Sequence, residues 1–252
     1  MYTHTQLIAV ALFAFIPYAE CTSTIITLAQ QCWHEFPLST RLLQSTTDGL
    51  NEFLVPSGRT INTSQPVSNG NYGPWTHQPV CTEVLQSLGS KLCVYTNSSF
   101  SDGRGISIFT TPVLAEEFAS LPAFQNPDAL KDVNTFSGNW YTQKIPGKGM
   151  GMLAKKHLKF KDQVTAYTPV LIAHLEEELS TRDRERFYLV AVNQLPEATR
   201  NSYLQLAFVY GAPSVRAQDI VKANTFRLEI NGHNHLAVFP ETSRLNHACG
   251  PK

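Results

Sequence analysis

Neither sign of charge prevails in this 252-residue chain, where 20 lysines and arginines face 20 aspartates and glutamates. It also lacks any Lys/Arg run, so nucleic acid is not an expected partner. Long apolar runs are missing too. The longest, residues 7–19 (LIAVALFAFIPYA), is too short to cross a bilayer comfortably, and no membrane span is expected. There is no Gly-x-Ser-x-Gly elbow and no Gly-Lys-Ser/Thr phosphate loop, which argues against a serine hydrolase and a P-loop nucleotidase. His247 and Cys249 are near neighbours in sequence, whereas a catalytic Cys–His pair meets through the fold. No internal repeat or low-complexity tract is present.

What is there is enough for a folded protein. An apolar fraction of 42% can build a core. The length suits one large domain, or a small N-terminal module with a domain of ordinary size. Residues 7–19 have the length of a secretory signal. Ala19 and Cys21 form a small-residue cleavage pattern, so residues 1–21 are expected to be a signal peptide and the product to be secreted. The n-region carries His4 but no Lys or Arg. Two sequons, Asn62-Thr63-Ser64 and Asn97-Ser98-Ser99, agree with that route and make Asn62 and Asn97 candidate glycosylation sites. Among the five cysteines, Cys81 and Cys93 bracket a short segment of the same region and are the expected disulfide pair. Cys32 is left with Cys21 or free.

Residues 55–80 are rich in Pro, Gly, Ser, Thr and Asn and read as a loop. Strands are expected at 92–95, after the Gly103-Arg104-Gly105 turn, at 140–145, at 150–154 and over 164–173, with Pro169 at an edge or bend. Thr111-Pro112 opens a helix through Ala119. Residues 175–194 carry the clearest helical pattern, with Glu178 and Arg182 one turn apart and Glu176–Glu178 as a solvated face. Further helices are expected near 200–210 and 215–223. Two strands then flank the Asn231-Gly232 turn. Lys155-Lys156-His157 reads as a solvated strand end.

Gly147-Lys148-Gly149-Met150-Gly151 brings backbone amides close to any ligand that approaches it, although a glycine-rich hairpin alone would have the same composition. His233, His235, His247 and Cys249 have the spacing of metal ligands, but His233 falls in the expected turn. Turn polarity and capping account for them, and no metal is assigned.

Gly149-Met150-Gly151, followed about a hundred residues later by Asn246-His247-x-Cys249-x-Pro251, resembles the SET domain of protein lysine methyltransferases. A helical insert lies between them, then Asn224-Thr225-Phe226 and the approach from Val238 to Leu245, as in SMYD-like and many fungal SET proteins. Cys93 to Thr96, Gly103 to Ser107 and the signal-like N-terminus are similar to a fungal set with secretory N-termini. The resemblance implies an α+β, strand-rich SET-like (β-clip) domain with a helical insert, occupying residues 137–252 behind an N-terminal extension at 22–136. It implies S-adenosylmethionine as cofactor, held by Lys148, Gly149, Met150 and Gly151 on one side and by Asn246 and His247 on the other, with a protein lysine as substrate. The family pattern continues beyond this point with a further Asn, a Gly-Glu-Glu segment and a Tyr. Here Lys252 stands in place of that Asn, so the resemblance also implies a domain incomplete at its C-terminus, with impaired activity. The alternative is a secreted glycoprotein that keeps a SET-like scaffold for binding alone.

Overall fold

The computed structural model describes residues 72–147, 149–159 and 162–245. The expected signal segment at 1–21, the Asn62 sequon, Cys21 and Cys32 lie outside them. Among the described residues eight strands form two sheets. Six of them, β1 (Val80–Leu85), β2 (Ser90–Asn97), β3 (Ile106–Thr110), β6 (Leu171–His174), β7 (Thr225–Ile230) and β8 (His233–Val238), stand in the order β1-β2-β3-β6-β8-β7. The β3–β6 pair is parallel and its neighbours are antiparallel. The other two, β4 (Trp140–Ile145) and β5 (Gly149–Ala154), pair as a separate hairpin. The fold is therefore α+β with a mixed sheet. That sheet runs across residue 136, because β3 and β6 come from either side of it.

Alternation within the strands divides the side chains between two cores. Leu92, Val94, Phe109, Leu171, Ala173, Leu236 and Val238 face one way, toward helices α2 (Thr181–Asn193), α3 (Glu197–Leu204) and α4 (Arg216–Asn224). Phe109 stacks on Phe187 of α2, with ring centres 5.3 Å apart. Cys93, Tyr95, Ile106, Ile108, Ile172, Leu228 and Ala237 face the opposite way, toward α1 (Pro112–Ser120) and the segment through Val133. With helices on both sides, the central strands are buried throughout, as their near-continuous apolar runs require.

The helix ends follow from local chemistry. Thr111 caps α1, its hydroxyl accepting the Leu114 amide, and Pro112 occupies the first turn. Ser180 caps α2 by accepting the Asp183 amide at 3.1 Å. That cap corrects the expected helix start at residue 175. The Leu175 amide is still in the sheet, donating to Asn234 O at 2.8 Å. The three glutamates that follow do different work rather than forming one solvated face. Glu176 is buried and receives Arg184 Nε at 2.5 Å, while its other oxygen accepts the Leu179 amide. Glu178 accepts the amides of Gln86 and Ser87 and the Ser87 hydroxyl. The expected Glu178–Arg182 pairing within a helix therefore has no helix to carry it.

Two more expectations change. The strand expected over 164–173 is confined to β6, because the Thr168 amide and hydroxyl are taken by Asn134 Oδ1 and Pro169 has no amide to offer a ladder. His233 is not in the turn but is the first residue of β8, opposite Ile230. Cys81 and Cys93 are register partners across β1 and β2, and their sulfurs stand 2.08 Å apart as a disulfide.

Candidate functional site

Gly149, Met150 and Gly151 sit on β5, opposite Ile145, Lys144 and Gln143 of β4. Gly149 has φ +74°, and the position a Cβ would take is open to at least 4 Å, so backbone is accessible there. Gly151 is buried, whereas Met150 is 42% exposed. Exposed Tyr141 lies on β4, and Phe136 meets Trp140 edge to face just before it. β5 packs against the short 3-10 helix Thr242–Arg244, which ends two residues before Asn246. Lys148, Asn246 and His247 lie outside the described residues. Asn97, the other sequon, closes β2 half-buried, its side-chain oxygen accepting the Ser99 amide.

A second feature adjoins the end of β8. An open cleft of about 430 Å³ lies between the Phe100–Arg104 turn, residues 130–135, α3 and Pro240. Ser101, Asp102 and Asn134 on its wall are three of the four described non-glycine residues with positive φ. Such backbone persists only where its surroundings hold it. Asn134 is held by donating its side-chain amide to Ser101 Oγ while accepting from Thr168. Arg104 grips Glu241 through both terminal nitrogens, at 2.8 and 2.6 Å, and stacks on Tyr167. Burial raises the Tyr167 phenol above its ordinary pKa, Glu241 adds to that, and Arg104 opposes it. Gly105 has φ +79°, and a Cβ there would stand 2.4 Å from the Pro196 ring, so only glycine fits. Through Arg104 and Glu241 this turn is tied to the approach to residues 246 and 247. The glycines at 103 and 105 are visible in the sequence but this tie is not, since nothing local couples Arg104 to a residue 137 positions away.

A third cluster lies at the other end of β6 and β8, where His174 stands in register with His235. Their ring centres are 4.9 Å apart, and those of His174 and His233 are 5.6 Å apart. His235 is fully buried, and burial, then the neighbouring His174, lowers its pKa to about 3. Burial first, then His233, also lowers His174, although the Leu175 carbonyl and Glu176 pull the other way. Nothing local in the sequence marks His174, because only the β6–β8 pairing brings it beside His233 and His235. Among the described residues no group of three or more His, Cys, Asp or Glu side chains is placed to hold a metal ion. No described helix is long and apolar enough to cross a membrane.

The chain matches no family model, no curated protein and no solved structure.

Proposed function

We propose that this chain is a SET-like protein of the lysine methyltransferase class, with S-adenosylmethionine bound between the Gly149–Gly151 strand and Asn246-His247. The observation that carries the reading is the packing of β5 against the 242–244 helix, which leads into Asn246 from beside the glycine motif. The two halves of the motif are almost a hundred residues apart in sequence, and this contact supports their convergence. The open space at Gly149 fits the group, because beyond its two chain neighbours nothing stands within 4 Å of the position a Cβ would take. When bound, the cofactor supplies an activated methyl group. The residues around it would orient that group toward a lysine amine and exclude water. In this reading Lys148 and Met150 flank the approach to the strand.

The reading is tested by calorimetric titration of the full chain with S-adenosylmethionine. One equivalent should bind, and a Gly149→Val variant should bind more weakly, because its side chain would fill the open position and strain the backbone at φ +74°. An absence of binding heat in the folded wild-type chain would remove the cofactor reading. That result would favour the second one, a secreted glycoprotein using the same scaffold for binding alone. The Cys81–Cys93 bridge, which suits an oxidising compartment, and the sequon at Asn97 support this alternative.

A further inference from the structure

The histidines at the end of β6 and β8 are independent of the glycine motif, and one of them has an unused nitrogen. His174 is 4% exposed, and its Nε2 is buried with no hydrogen-bond partner. Its Nδ1 lies 3.1 Å from the Leu175 carbonyl oxygen, which requires the proton on Nδ1 and leaves a lone pair on Nε2. His235 has the same arrangement. Its Nδ1 donates to the His233 carbonyl at 3.1 Å, and its Nε2 lone pair accepts from the Thr110 hydroxyl at 3.0 Å.

An imidazole whose far nitrogen donates to a backbone carbonyl is oriented as metal-ligating histidines are. Buried polar atoms usually find a partner, so the free Nε2 of His174 calls for one. The Thr110 bond occupies His235, and that leaves His233 as the companion. His233 is exposed at the start of β8, with its ring already beside that of His174. Two imidazoles sharing one zinc through bonds of about 2.0–2.1 Å have ring centres roughly 5 Å apart. The His174–His233 separation of 5.6 Å is close to that.

We infer that His174 Nε2 and the His233 ring form a two-nitrogen site for a divalent transition-metal ion of the zinc and copper kind, with water completing its coordination. Borderline cations of this kind take imidazole nitrogen, whereas calcium and magnesium take oxygen. His235 is the positioning residue: its bond to the His233 carbonyl fixes the strand from which His233 projects. Glu176, whose charge acts on His174, would favour a bound cation, although its carboxylate is committed to Arg184.

The test uses the full chain, stripped of metal with a chelator and titrated with copper(II) and with zinc(II). The site predicts one high-affinity equivalent of copper whose electron paramagnetic resonance spectrum shows two nitrogen ligands. Zinc should shift the side-chain nitrogen resonance of His174. His233→Ala, a surface change that leaves the core intact, should weaken copper roughly tenfold or more and leave at most one nitrogen. His157→Ala, on an exposed segment remote in sequence, should change neither. Unaltered affinity and a two-nitrogen spectrum in His233→Ala would overturn the assignment, as would loss of binding in His157→Ala or no binding at all.

Discussion

The six-stranded sheet and the β4–β5 hairpin differ in what their side chains meet. In β3 and β6 every residue is buried, and the side chains alternate between two helix-covered cores. Among the described residues of the hairpin only Gly151 is buried, and Tyr141 and Met150 face solvent. Burial explains the composition of β3 and β6, since each apolar side chain there leaves water. It does not explain an exposed methionine between two glycines. Under the proposed function, the exposed apolar groups beside open backbone would form the ligand-facing surface, with the six-stranded sheet as its scaffold.

The largest expected effect breaks this comparison most plainly. Phe109→Ala removes a fully buried ring stacked on Phe187 and should cost about 3–5 kcal/mol in urea denaturation. Met150→Ala on the hairpin should stay within about 0.5 kcal/mol. Comparable losses at the two positions would mean that the hairpin is part of the core. Next in size is Arg184→Ala, which leaves the Glu176 carboxylate buried without its partner. Burial alone would lower the guanidinium's pKa, but the Glu176 hydrogen bond and charge raise it above the usual arginine value. The expected loss is about 3 kcal/mol by the same assay. The smallest effect is at Glu178. The Ser87 amide, then the Gln86 amide and the Ser87 hydroxyl, hold its carboxyl below the ordinary value of 4.5. A carboxyl lowered by folding adds stability above its unfolded pKa and loses it as pH falls through the folded one. Glu178→Gln should therefore show a shallower fall in melting temperature than the wild type on acidification below about pH 4.5. Identical profiles would show that the bond carries no linkage.

Much of the architecture was legible in the sequence because its signals are local. Thr111-Pro112 marks a helix start, Asn231-Gly232 marks a hairpin, and glycine around Lys148 marks the β4–β5 turn. The misreadings have a common origin in long-range partners. Residues 175–179 have a helical pattern, but Asn234 and the Gln86–Ser87 turn claim their backbone and side chains first. Thr168 looks like strand until Asn134 takes its amide. The candidate site divides the same way. The glycine motif and the Cys81–Cys93 pair could be read along the chain, whereas Arg104–Glu241 and the approach of His174 to His233 exist only once the sheet has formed.

The assignment of recognition to the hairpin is tested most directly by amide hydrogen exchange with and without S-adenosylmethionine. The account predicts slower exchange for the amides of Lys144, Met150 and Gly151 when the cofactor is added, with the amides of β2, β3 and β6 unchanged. No change in the hairpin under conditions where calorimetry records binding, or equal slowing across both sheets, would contradict it.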